Sequence, residues 1–78
     1  MDVVKAGFTL KSARERKGLT QDRAAKLIGV SVDTLGNYER GKSYPDIPVL
    51  RKIEEVYEIP YERLIFSPMD YDKTVNII

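Results

Sequence analysis

The 78-residue sequence contains no cysteine and no histidine, and each absence removes a class of chemistry. Without cysteine there are no disulfides and no thiolate nucleophile or metal ligand. Without histidine there is no imidazole base or ligand and no Ser-His-Asp triad. Most ordinary hydrolytic and zinc chemistry is thereby excluded, and neither enzyme activity nor a cofactor is expected. Long apolar runs are missing too. "MDVVKAGF" holds none long enough for a signal peptide, and no stretch approaches the roughly 20 apolar residues of a membrane span. A cytoplasmic protein without a membrane partner is the expectation. At this length there is room for one domain, which buries only about 60% of the surface its unfolded chain exposes.

The formal net charge is +1, but the charges are unevenly spread. Residues 10–42 hold eight Lys and Arg against four acids, whereas residues 43–72 hold three basic side chains against seven acidic ones. Two readings stand at this level: a first half that meets a polyanion, or an accidental split of a solvated surface.

Punctuation divides the chain into short helices. Gly18, Gly29 and Gly41 each follow a helix-like segment, where a left-handed C-cap belongs. Thr9, Thr20 and Ser31 are N-cap candidates, and the apolar Leu19 and Val30 can staple onto Ala24 and Leu35. Helices are expected from about Leu10 to Lys17, Gln21 to Ile28 and Val32 to Arg40. "KSYPDIP" (42–48) reads as a loop by its prolines. A fourth helix follows, with Val49, Leu50, Ile53, Val56 and Tyr57 on one stripe, and a fifth is expected at about Tyr61 to Ile65. No segment reads as a run of strands, so the fold class is all-α.

The second and third helices are joined by "GVS", a three-residue turn of the kind that links two steeply crossing helices. On the third helix Leu35 and Tyr38 point inward, while Val32, Asp33, Gly36, Asn37 and Arg40 line the opposite side. That outer stripe has a mid-helix glycine, costing about 1 kcal/mol relative to alanine, and an asparagine of poor propensity. Short side chains let a helix approach another surface. Asn37 offers a donor and an acceptor, matching N6 and N7 of adenine in a major groove; Asp33 only accepts, which suits N4 of cytosine or, equally, a helix dipole.

Three motifs stand in order: R-x-x-K-G-L-T-Q at Arg14 to Gln21, A-x-x-x-G-V-S at Ala25 to Ser31, and Y-E-R-G-K at Tyr38 to Lys42. Pro45 and the L-x-x-I spacing of Leu50 and Ile53 follow. With them, residues 10–66 resemble the helix-turn-helix domain of the phage repressor and Cro type, the XRE family. The resemblance implies a five-helix, lambda-repressor-like domain over residues 9–66, an N-terminal arm at 1–8 and a short C-terminal tail at 67–78. It implies a sequence-specific regulator of transcription, of Cro-like or minimal-repressor build, with double-stranded DNA as partner. Base contacts fall on Val32, Asp33 and Asn37, flanked by Ser31 and Thr34. Phosphate contacts fall on Gln21, Lys42, Arg40 and Tyr44. Arg14 and Glu39 match a family ion pair tying the first helix to the end of the third.

The sequence departs from the family pattern at Arg23, Ala24, Glu54 and Tyr57, where an acid, a leucine, an alanine and a leucine are usual. Tyr57 is expected to refill the volume lost at Ala24. Glu54 either snorkels outward or marks a partner surface, and with Glu58 and Glu62 it forms an acidic face that could in principle attract a divalent ion. A palindromic operator and a homodimer, at least on DNA, are expected because one reading helix covers only a few base pairs. Leu64, Ile65, Phe66 and "TVNII" are the apolar material left for that dimer, unless the last residues fray. The alternative function is a protein-interaction adaptor or antitoxin on the same scaffold.

Overall fold

A computed structural model of the chain describes residues 7–66. Four helices carry the domain: α1 (Leu10–Arg16), α2 (Gln21–Ile28), α3 (Val32–Arg40) and α4 (Ile47–Tyr57). Each starts on a side-chain cap. The oxygens of Thr9, Thr20, Ser31 and Asp46 accept the backbone N–H three residues on, from Ser12, Arg23, Thr34 and Val49, at 3.0 to 3.1 Å. Each such cap is worth about 1 kcal/mol. The Asp46 cap starts α4 inside the segment expected to be loop, and Pro48 fits there because the first turn leaves its N–H groups unbonded anyway. Gly29 and Gly41 end α2 and α3 with φ of 95° and 77°. At the end of α4 the same left-handed position is filled by Glu58, φ 56°, which costs a side-chain-bearing residue roughly 1–2 kcal/mol.

The expected fifth helix is not formed. Tyr61–Arg63 make a single 3-10 turn, after which β2 (Leu64–Ile65) runs extended and pairs in parallel with β1 (Phe8–Thr9). Phe8 lies opposite Leu64, and Thr9 opposite Ile65. Over the described residues the chain is therefore a small helical domain of four helices with one minimal β-pair between their ends. Two contacts accompany the difference, one within the segment and one across the fold. The Glu54 carboxylate accepts the Tyr61 N–H at 2.6 Å and holds the start of the turn. Gly7 admits Ile65 closely, since a Cβ there would stand 2.7 Å from Ile65 Cδ1.

Leu10, Leu35, Ile53 and Tyr57 are the largest fully buried side chains, with Ala13, Ala24 and Ala25 completing the floor between them. Burying an aliphatic side chain of this size stabilises by about 1.5–3 kcal/mol. Ala24 and Tyr57 share this core where α2 packs on α4, as an exchange of volume between them requires. Leu64 is buried in the same cluster and Phe66 packs against it, so Leu64 is not free for a dimer contact. The segment "TVNII" and the rest of 67–78 lie outside the described residues, as do residues 1–6 of the expected arm; Phe8 itself is in β1.

Candidate nucleic-acid interface

The turn Gly29–Ser31 closes tightly because the N–H groups of Gly29 and Val30 both donate to the carbonyl of Ala25, at 2.8 and 3.0 Å. It delivers α3 across α2 with Leu35 fully buried and Tyr38 nearly so. The far end of α3 is pinned by charge. Arg14 Nε donates to Glu39 Oε2 at 2.8 Å and Arg14 Nη2 to Glu39 Oε1 at 3.3 Å. Arg14 Nη1 donates to the Leu19 carbonyl at 2.9 Å, and Gln21 Nε2 to Glu39 Oε1 at 3.0 Å. The Arg14 and Glu39 side chains are only 10% and 5% exposed, so the pair is a buried clamp joining α1, the following loop, α2 and α3. The hydrogen bond to Glu39 raises the Arg14 pKa, outweighing the opposing effect of burial. Tyr57 is fully buried and feels the same two charges: burial, then Glu39, pushes its phenol up to about 12, with Arg14 opposing.

With one face locked, the other is presented. Ser31, Val32 and Asp33 are exposed at the start of α3, and Thr34 and Asn37 are half-buried. Ser31 is also structural, because its Oγ caps the helix and donates to Thr34 Oγ1 at 2.9 Å. Gln21, at the first position of α2, gives its amide to Glu39 in the free chain. Lys42 is exposed just beyond α3. Gly36 differs from the expected exposed stripe: it is buried, and the Arg40 guanidinium lies over it. Arg40 Nη2 donates to Asn37 Oδ1 at 2.8 Å. The sequence signal for this contact was an arginine four residues after a glycine and three after an asparagine on one helix. Tyr44, nearly half exposed, lines an apolar groove of about 260 Å³ with Pro45, Ile47, Leu50, Tyr61 and Phe66.

Glu54 is half-buried, and its Oε2 accepts the Tyr61 N–H at the start of the 3-10 turn. Among the described residues no three His, Cys, Asp or Glu side chains gather closely enough to hold a metal ion. Nor is any helix among them long and apolar enough to cross a membrane.

A family model described as helix-turn-helix matches residues 10–64. The chain belongs to the helix-turn-helix family. Its type is the phage-repressor and Cro (XRE) class. This helix-turn-helix chain is 32% identical over 73 residues to YonR of Bacillus subtilis, a prophage-derived uncharacterized HTH-type transcriptional regulator, covering 90% of the chain and 68% of YonR. It is 36% identical over 59 residues to the HTH-type transcriptional regulator ImmR of the same organism, covering 76% of the chain and 46% of ImmR. With the Escherichia coli regulator SutR it shares 34% identity over 67 residues, or 86% of the chain and 38% of SutR. The chain thus spans about two thirds of one of these relatives and less than half of the other two. No solved structure matches it.

Proposed function

We propose that this helix-turn-helix protein is a sequence-specific DNA-binding regulator of transcription, of Cro-like or minimal-repressor build, with α3 in the major groove. The observation that carries this reading is the two-sided build of α3. Its inner face is locked by Leu35, Tyr38 and the buried Glu39 clamp, while Val32, Asp33 and Asn37 remain on the side turned outward. A rigid helix with short side chains on its free face enters a groove at little entropic cost.

The division of labour follows from side-chain chemistry. Gln21 and Lys42 flank α3 and contact phosphates, which sets register without reading sequence. The first turn of α2 adds backbone N–H groups that have no partner within the helix. Asn37, Asp33 and Val32 face base edges, with Ser31 and Thr34 beside them; Asp33, an acceptor only, suits the N4 amino group of cytosine. One such helix reads too few base pairs for useful selectivity, so two copies bind a palindromic operator with half-sites about 34 Å apart. The exposed apolar groove at Tyr44, Ile47 and Tyr61 is the surface for the second copy, because it begins four residues beyond the end of α3 and brings two reading helices side by side.

Binding titrations on a duplex selected from a random library, and on a scrambled one, test the reading at several salt concentrations. Asn37→Ala should cost about 1–3 kcal/mol on the selected site and relax preference at one base position. Lys42→Ala should weaken both duplexes alike and flatten the salt dependence by about one unit of log K against log salt. Wild-type affinity for both variants on the selected site would overturn it.

A further inference from the structure

The mid-helix glycine of α3 has a use that helix propensity does not explain. Gly36 is buried in a helix whose outer face is otherwise open, and its cover is the Arg40 guanidinium one turn later. A Cβ at Gly36 would lie 3.2 Å from Arg40 Nη1, tighter than ordinary contact, and 3.7 Å from Nη2, an ordinary contact. Glycine therefore gives the guanidinium a seat flat against the helix, and from that seat Nη2 donates to Asn37 Oδ1 at 2.8 Å.

The contact changes what Asn37 can read. A guanidinium has donors and no acceptor, so the asparagine must turn its oxygen toward Arg40; the flipped amide would set donor against donor. Asn37 Nδ2 then faces away from Arg40, and the oxygen that would accept from the N6 amino group of adenine sits beside a cation with spare N–H groups. The combined surface is rich in donors. Guanine presents two acceptors in the major groove, O6 and N7, whereas adenine presents one acceptor and one donor.

We propose that Asn37 and Arg40 act as one reading unit seated on Gly36, and that the unit selects guanine where Asn37 alone would select adenine. The proposal rests on the reading of α3 as the major-groove helix. It also moves Arg40 from the phosphate backbone to a base edge.

The test is selection from a random duplex library with the full chain and three variants, Asn37→Ala, Arg40→Ala and Gly36→Ala. Wild type should select guanine at the position whose preference Asn37→Ala abolishes. Arg40→Ala should switch that same position to adenine, a change of about tenfold or more in the guanine-to-adenine ratio, because a good bidentate contact discriminates on this scale. Gly36→Ala keeps the arginine charge but pushes the guanidinium outward by a few tenths of an ångström, and should move the ratio in the same direction by a smaller factor. Its melting temperature, expected not to fall, shows that the fold is kept. Adenine selected by wild type would overturn the proposal. So would Arg40→Ala and Gly36→Ala proteins that keep the wild-type base preference and lose affinity for all duplexes alike, which would return Arg40 to the phosphates. If Asn37→Ala alters no base preference, the proposal falls together with the major-groove reading. If Asn37→Ala alters one position and the other two variants do not, the unit alone falls.

Discussion

Tyr57→Phe should stabilise the domain although it deletes a polar group. Tyr57 is the largest fully buried side chain, and its hydroxyl has no hydrogen-bond partner among the described residues. A buried hydroxyl left unbonded costs about 1–3 kcal/mol. Removing it leaves a void of about 10–15 Å³, worth about 0.3 kcal/mol at roughly 24 cal/mol per Å³. The desolvation term wins, and a net gain of about 1 kcal/mol should raise the melting temperature by about 4–8 °C in a domain of this size. Urea and thermal melts followed by circular dichroism measure it. A variant that melts lower than wild type by a similar margin would show that the hydroxyl is bonded and refute the reasoning. The pH axis provides an independent check. An unfolded tyrosine ionises near pH 10, whereas burial pushes Tyr57 up to about 12. Between those values the folded state binds more protons, so stability that is fully present below pH 10 is lost as pH rises toward 12. Tyr57→Phe should lose less over that window. Tyr38, also raised by burial, titrates in both proteins, so the difference between the two curves isolates Tyr57.

Glu39→Ala leaves the Arg14 guanidinium buried with two of its donors unmatched; a loss of about 3–5 kcal/mol is expected in urea melts, and a loss below about 1 kcal/mol would place the pair among superficial ones. Glu58→Gly relieves a left-handed backbone at φ 56° and should stabilise by up to about 1 kcal/mol, less the extra freedom glycine gains when unfolded. The Lys17–Glu58 pair it removes is 71% exposed on the Glu58 side, so its loss should not reverse the sign; a lower melting temperature would. Ile47→Asp alters a residue 62% exposed on the groove rim: the monomer should melt as before, while sedimentation on operator-length DNA shows fewer paired copies. An unchanged stoichiometry on DNA would remove this groove from the dimer.

Local structure was legible in the residues themselves. The starts of α1, α2 and α3 could be read because a threonine or serine hydroxyl caps the N–H three residues on, and the ends of α2 and α3 because Gly29 and Gly41 tolerate a left-handed backbone cheaply. The inward Leu35 and Tyr38 followed from helical spacing. The resemblance, rather than periodicity, placed Arg14 against Glu39 across 25 residues. Other features depended on how distant parts of the chain meet. Whether the segment after Pro60 becomes a helix or a strand depends on Phe8–Thr9, more than fifty residues away, offering an edge to pair with, and on Glu54 holding the Tyr61 N–H. The depth of Tyr57, and hence the cost of its hydroxyl, depends on where α4 lands against α2. Gly36 is the case between: its neighbours Asn37 and Arg40 are local in sequence, but only the folded geometry shows that the space left by a missing Cβ is filled by a guanidinium. Short-range hydrogen bonds close within one turn and leave their mark on adjacent residues, whereas burial and strand pairing are settled by whichever distant surface arrives.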